Sequence, residues 1–85
     1  MVPLVDLSPG QVGLIRSLEG GHRFMSRLAA LGFTPGAAVR VMRNHGFGPM
    51  IVTVRGAQIA IGRGEAGRIL VHPASEVDDE IIDTA

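Results

Sequence analysis

Hydrophobic and polar residues alternate along most of this chain in short runs. Alternation with period two places every second side chain on one face of a β-strand. The pattern predicts strands near residues 11–18, 39–43, 50–55, 58–61 and 68–72. Turn residues separate these runs, so a mainly β protein is indicated rather than a doubly wound α/β sheet.

The first predicted strand contains an irregularity. Leu14 and Ile15 are adjacent apolar residues, and Gly13 precedes them. Broken alternation beside a glycine is typical of a β-bulge, because glycine gives the backbone extra freedom. We therefore predict a bulge at this point of the strand.

One segment has a helical period instead. Phe24, Leu28 and Leu31 lie at positions i, i+4 and i+7, with Met25 and Ala29 beside them. This spacing forms one apolar stripe on an α-helix, here from about His22 to Leu31.

The residues after this helix are typical of a helix end followed by a turn. Gly32 stands where a left-handed C-terminal residue is expected, and Pro35 follows shortly after. Thr34-Pro35-Gly36 then favours a turn. We predict that Gly32, Pro35 and Gly36 shape the connection from the helix to the next strand.

These elements predict a small SH3-like barrel of five to six short strands with one inserted α-helix. A curled sheet of this size hides part of its edges. Residues 63–67 are expected to form a single 3₁₀-like turn. We place the barrel domain at residues 1–74 and a flexible acidic tail at residues 75–85.

Charge separates the body from the tail, although the formal net charge is zero. All eight basic residues are Arg, and all precede residue 69. The same part of the chain has only three acidic residues, Asp6, Glu19 and Glu65, so its formal charge is +5. Five acidic residues lie in the last ten positions. The tail either solubilises the chain, screens the body or leaves the body to attract an acidic partner.

The composition argues against several functions. An 85-residue chain has little volume for an active-site cavity, and it has no nucleophile elbow, phosphate-binding loop or lysine. Three Phe and no Trp or Tyr offer few platforms for stacking nucleic-acid bases. No run is long enough to span a membrane and no secretion signal is visible. We expect no enzyme, no nucleic acid, no membrane insertion and a cytoplasmic location.

Histidine is the only residue type that suggests a metal. His22, His45 and His72 have no spacing of i, i+3 or i, i+4 among them, and Glu19 lies three residues before His22. Convergence in space, or a site shared with a second molecule, could hold Fe²⁺ or Zn²⁺ weakly. Histidines without a metal role are the plainer interpretation, and no cofactor is required.

A binding module is the remaining class of function. Arg23 and Arg27 lie four residues apart on the solvent side of the helix, which indicates either a solvated face or a basic patch for a partner. Phe33 follows the helix end and Phe47 lies among glycines. Each ring either plugs the barrel end or anchors a partner. We predict that Arg23, Arg27, Phe33 and Phe47 contact a partner.

The order of motifs resembles the FeoA family. Leu31-Gly32-Phe33-Thr34-Pro35-Gly36 is similar to its signature of Leu-Gly-hydrophobic-x-Pro-Gly. Further segments occur in the family's order: Leu4 to Gly10, Val39-Arg40-Val41, Gly48-Pro49, Val52 to Gly56, Ile59 to Arg63 and Ala66 to Val71. The resemblance covers about residues 4–72. It departs at Gly48-Pro49, which lacks an intervening acidic residue, and at Gly62-Arg63-Gly64, where a more polar stretch is usual.

The resemblance implies an SH3-like barrel and a small cytoplasmic accessory protein of ferrous iron uptake. Its expected partner is the cytoplasmic GTP-binding part of the FeoB membrane transporter. The alternative is a transition-metal-binding module whose metal controls oligomerisation or a regulator. The expected state is a monomer or a weak homo-oligomer.

Overall fold

Antiparallel strands dominate the computed structural model, which describes residues 1–74. Within that range the sheet has six strands in the order β1-β6-β2-β3-β4-β5. The strands are β1 (Val2–Pro3), β2 (Val12–Leu18), β3 (Ala38–Arg43), β4 (Met50–Val54), β5 (Ala57–Ile61) and β6 (Ile69–Pro73). The helices are α1 (His22–Ala30) and α2 (Arg63–Ala66), and a 3₁₀ turn covers Leu4–Asp6. The mainly β prediction with one inserted helix is confirmed, whereas the acidic tail lies outside the described residues.

The segment before β6 differs from its prediction. Arg63–Ala66 forms one turn of α-helix, α2, rather than a 3₁₀-like turn. The amides of Ala66 and Gly67 donate to the carbonyls four residues earlier, Gly62 and Arg63, at 2.9 Å each. Two such bonds are enough to select the α-helical geometry over the tighter 3₁₀ pattern. Neither helix in residues 1–74 is long and apolar enough to cross a membrane.

The core is formed mainly by strand residues of the sheet, joined by Leu4, Leu7 and Ala66 from the connecting segments. Buried side chains alternate along β3 and β4, as the period-two pattern predicts. Leu28 is the fully buried residue of α1, and Phe33 joins it from the following loop. No polar or charged side chain in residues 1–74 is buried. Burial of apolar side chains is therefore the main source of stability.

The predicted bulge in β2 is present, but it lies further along the strand. The pairing of β2 with β6 shifts register between Ile15 and Ser17, so the extra residue is Arg16. Gly13 has another role, because a Cβ atom there would lie 2.8 Å from Cβ of Val71. Gly13 thus allows close packing of side chains from the neighbouring strand.

The end of α1 forms a Schellman motif. The amide of Phe33 donates to the carbonyl of Leu28 at 2.9 Å, and that of Gly32 donates to Ala29 at 3.0 Å. Gly32 has φ 103°, in the region that favours glycine. The motif brings Leu28 and Phe33 together in the core, as its usual hydrophobic contact requires.

The predicted turn after this motif is also present. Ala37 donates its amide to the carbonyl of Thr34 at 2.9 Å across Pro35 and Gly36. Gly36 has φ 88°, as the third position of a type II turn requires. The turn is joined to β2, since the Gly36 amide donates to the Ile15 carbonyl at 2.7 Å.

Candidate interaction surface

Helix α1 presents two exposed arginines, Arg23 and Arg27, as predicted. Arg27 forms an ion pair with Glu65 of α2, and their side chains are 60% and 35% exposed. A pair this exposed contributes only about 0.2–1 kcal/mol. Arg27 can therefore exchange Glu65 for a carboxylate of another molecule at little cost.

The same helix exposes apolar surface. Met25 is 42% exposed and Leu31 is 44% exposed, so neither is enclosed in the core stripe that the sequence predicts. Leu28 is the buried residue of α1, and Phe24 packs partly buried against the core. A groove of about 300 Å³ lies beside α1, and its lining includes Leu18, Met25, Ala29 and Pro35. We call it the α1 groove.

Phe33 is not available for contact, which corrects the prediction that it meets a partner. Its side chain is fully buried beside Leu28. The physical reason is the Schellman motif, in which the residue after the left-handed glycine packs back onto the helix. The Leu-Gly-Phe order indicates that Phe33 is buried, because an apolar residue directly after Gly32 occupies the packing position of that motif.

Phe47 lies on the loop between β3 and β4 and is 76% exposed. Gly46 and Gly48 on either side have φ values of 86° and 69°, so the backbone projects the ring outwards. The ring centroid lies 6.3 Å from that of His45. An exposed aromatic ring is a common anchor for a partner.

Asn44 fixes the base of this loop. Its Nδ2 atom donates to the carbonyls of Val5 and Leu7 at 2.9 and 2.8 Å. Its Oδ1 atom accepts from Nη1 of Arg63 at 2.7 Å and from the amide of Gly46 at 3.2 Å. This half-buried amide satisfies four hydrogen bonds, so the loop has a firm base beneath a projecting ring.

Helix α2 connects the loop to α1. Arg63 contacts Asn44 at the base of the loop, and Glu65 contacts Arg27 of α1. No motif in the sequence predicts these contacts of Asn44, Arg63 or Glu65. Their roles depend on contacts between segments that are distant in the chain. A single asparagine after a strand is only a weak indication of such contacts.

Arg55 ties the β4–β5 hairpin to the end of α1. It has φ 49° and Gly56 has φ 81°, the two positive values of a type I′ turn. Its Nη2 atom donates to Oγ1 of Thr34 at 2.7 Å, and Nε donates to the carbonyl of Gly32 at 3.3 Å. Arg55 thus braces the turn that borders the α1 groove.

The residues considered for a metal do not converge. Within residues 1–74 no group of three or more His, Asp or Glu side chains could hold a metal ion. His22 contacts Ser26, His45 contacts Phe47, and His72 pairs across the sheet with Leu14. Glu19 lies between β2 and α1. The described residues therefore do not fit a resident transition metal.

Comparison with known proteins agrees with this architecture. The FeoA domain family matches residues 2–73. A protein of Methanocaldococcus jannaschii named "Putative Fe(2+) transport protein A" is 36% identical over 74 residues, which is 87% of this chain and 89% of that protein. The crystal structure of an iron uptake regulatory protein (FeoA) has a TM-score of 0.81 at 42% identity, over 85% of this chain and 96% of that one.

A further solved structure adds a fold description and a metal. FeoA of Stenotrophomonas maltophilia, complexed with zinc and described as an SH3 domain protein, has a TM-score of 0.76 at 27% identity. The alignment covers 85% of this chain and 91% of that one. The fold is thus SH3-like, and the chain belongs to the FeoA domain family, a family of small accessory proteins of ferrous iron transport.

Proposed function

We propose that this chain regulates ferrous iron uptake by binding the cytoplasmic GTP-binding part of a FeoB-type membrane transporter. Membership of the FeoA family supports the link to iron transport. The observation that carries the binding role is a surface on α1. There Arg23 and Arg27 are exposed on the same helix that lines the apolar α1 groove, and α2 joins this helix to the loop of Phe47.

This surface combines two kinds of interaction. The arginines attract carboxylates, which raises the rate of encounter with an acidic partner. Met25, the α1 groove and Phe47 offer apolar area that a partner can bury. The Arg27–Glu65 pair is exposed and weak, so it does not compete strongly with a partner's carboxylate.

The proposal is tested by measuring the affinity of the full chain for the purified GTP-binding domain of the transporter encoded in the same genome. We expect Arg23→Glu to weaken binding roughly tenfold, equivalent to about 1.4 kcal/mol. Phe47→Ser removes an anchor worth roughly 2 kcal/mol, or about thirtyfold in affinity. Isothermal titration calorimetry in the presence of a guanine nucleotide gives both values.

Arg40→Glu is the matched control, because Arg40 is an exposed arginine on β3 that belongs neither to α1 nor to the Phe47 loop. It changes the charge by the same amount, so binding should weaken less than in Arg23→Glu. Equal losses in the two variants would indicate an unspecific charge effect. Binding that survives both Arg23→Glu and Phe47→Ser unchanged would remove this surface from the proposal.

A transition-metal-binding module is the second candidate function, and the zinc in the Stenotrophomonas maltophilia protein is the observation that favours it. The described residues hold no cluster for a metal, and ligands shared with a second molecule would couple metal binding to oligomerisation. Gel filtration with and without Fe²⁺ or Zn²⁺ separates the two functions. Transporter binding alone predicts no change in elution, and the metal module predicts a dimer when metal is added.

A further inference from the structure

Strand β5 is an edge of the sheet with regular backbone geometry. Among the strands of residues 1–74 it pairs only with β4, and the register has no bulge. The two-residue turn before β5 makes Val54 and Ala57 a hydrogen-bonded pair of the hairpin. Because hydrogen-bonded and non-hydrogen-bonded pairs alternate along an antiparallel ladder, the amides and carbonyls of Gln58 and Ala60 point away from β4.

These backbone groups can pair with another strand. Gln58 and Ala60 are exposed, and neither makes a backbone hydrogen bond to a turn, loop or helix of residues 1–74. Their N–H donors and C=O acceptors repeat every second residue, which is the spacing of an extended backbone. The edge itself therefore selects a β-strand as its occupant. β5 also has no proline or charge that would block such pairing.

A small pocket opens beside this edge, next to the end of α1. Its volume is about 170 Å³, and its lining includes Arg27, Leu31, Ile59, Ala60 and Glu65. Leu31 is 44% exposed and Ile59 is half-buried, so apolar surface is accessible in the pocket. The ion pair of Arg27 and Glu65 forms its polar part. We call it the β5 pocket.

Strand pairing determines which side chain of an incoming strand reaches the β5 pocket. Antiparallel addition continues the pattern of every pair in the described sheet. Residues opposite Gln58 and Ala60 then exchange hydrogen bonds with β5, and their side chains lie on the exposed face. The residue between them lies opposite Ile59, on the face of β5 that packs against the core. Its side chain therefore enters the β5 pocket.

The residues around the edge favour an acidic strand. Arg27 lines the β5 pocket, Arg55 lies in the turn before β5, and Arg63 begins α2 one residue after β5. Glu65 is the one carboxylate of residues 1–74 that lines the pocket. Three arginines and one glutamate give this region a formal charge of +2. Carboxylates on the occupant therefore raise the rate of encounter, whereas basic segments are disfavoured.

We propose that β5 and the β5 pocket bind an extended acidic segment of a partner protein by antiparallel β-strand addition. The segment alternates acidic or polar residues with apolar ones, and a branched apolar side chain opposite Ile59 fills the pocket. Its backbone exchanges hydrogen bonds with Gln58 and Ala60. Arg27 is shared with the surface of the proposed function, but the strand site does not depend on which partner carries the segment.

The peptide acetyl-Thr-Val-Glu-Leu-Glu-Val-Thr-amide has this pattern and serves as the probe for the full chain labelled with ¹⁵N. We expect saturable shifts of the amide resonances of Leu31, Gln58 and Ala60, while those of β2 and β6 keep their positions. A peptide with Ala in place of Leu should bind roughly tenfold more weakly, because less apolar surface enters the pocket.

Backbone methylation of the peptide tests strand pairing directly. N-methylation of both Glu amides removes the donors that face β5, so affinity should fall roughly tenfold or more. N-methylation of the Leu amide is the matched control. That N–H points away from β5 in the paired strand, so its loss should change the affinity little.

Three variants of the chain assign the contact to its parts. Ala60→Pro removes an N–H that faces away from β4, a position where an edge strand tolerates proline, and should weaken binding roughly fivefold. Leu31→Ser should weaken it by a similar factor, because it removes exposed apolar surface from the pocket. Arg27→Glu should weaken binding more than Arg40→Glu, the same change of charge at a residue that does not line the pocket. The methylated peptides report even if Ala60→Pro disturbs β5.

Three results would overturn the proposal. The first is an absence of saturable shifts at β5 when the unmethylated peptide is added. The second is equal affinity for the peptides methylated at Glu and at Leu, since binding would then not involve strand pairing. The third is shifts of Gln58 and Ala60 that follow dilution of the protein but not addition of the peptide, since β5 would then pair with a second copy.

Discussion

Gly32 holds the junction between α1 and the following turn in a backbone conformation that other residues adopt at a cost. At its φ of 103° a side chain is strained, and a Cβ atom would also lie 3.2 Å from Cδ of Arg55. We expect Gly32→Ala to lower the free energy of unfolding by about 1–3 kcal/mol. Urea denaturation followed by circular dichroism measures this loss, since the chain lacks Trp and Tyr.

Gly64 provides the matched control for that substitution. It lies in α2 with ordinary negative φ, and a Cβ atom there would meet no atom within 4 Å. Gly64→Ala should be neutral or stabilise the chain by up to about 1 kcal/mol, because alanine favours a helix. Similar losses in both variants would contradict the role assigned to the left-handed backbone of Gly32.

Asn44 offers a second prediction at this scale. Asn44→Ala removes both donors to the carbonyls of Val5 and Leu7 and the acceptor for Arg63. Leaving such half-buried groups unpaired should cost roughly 2–3 kcal/mol in the free energy of unfolding. Asn44→Asp keeps the acceptor and loses the donors. The same urea titration therefore separates the contribution of the donors from that of the acceptor. A loss no larger than that of Gln58→Ala, an exposed site on β5, would show that the network adds nothing.

Residue roles were predictable from the sequence where local backbone geometry decides them. Gly32, Pro35 and Gly36 follow from the rules for helix ends and turns, and the glycines around Phe47 indicate its exposure. Phe33, which is predicted to contact a partner, is buried instead, because the Schellman motif packs the residue after Gly32 onto Leu28. Asn44 and Arg55 act on segments more than 20 positions away in the chain, and one sequence carries no pattern for such contacts.

Strands β2 and β6 illustrate how elements constrain one another. Periodicity predicts both strands and an irregularity in β2, but the bulge is at Arg16 because the register with β6 places it there. Gly13 precedes the bulge rather than forming it, and its role is to allow the close approach of Val71. Register and packing between strands arise from the whole sheet, so a single strand's pattern does not determine them.

This packing can be tested with a double-mutant cycle. Gly13→Ala should lower the free energy of unfolding by about 1–3 kcal/mol, because the new methyl overlaps the side chain of Val71. Val71→Ala alone should also destabilise by opening space in the core. The double variant should lose less stability than the sum of the two single variants, with a coupling energy of about 0.5–3 kcal/mol. Additive losses would show that the destabilisation by Gly13→Ala does not come from overlap with Val71.

The two edges of the sheet formed by residues 1–74 are unequal. β1 has two residues and ends with Pro3, which cannot donate an amide hydrogen bond. β5 has five residues, carries no charge or proline, and pairs only with β4 among the strands of residues 1–74. Edge strands without charge, proline or bulge tend to pair with other chains. We therefore expect weak self-association through β5 at high protein concentration.

Ala60→Lys tests this expectation, because Ala60 is exposed on β5 and lysine is a common protection of natural edges. Sedimentation velocity over a range of protein concentrations should show less self-association in the variant, with the free energy of unfolding nearly unchanged. Ala38→Lys is the matched control. Ala38 is also an exposed alanine, but it lies on β3, which is paired on both sides. If both lysines suppress association equally, added charge rather than the free edge is responsible, and if neither does, β5 does not mediate contacts between copies.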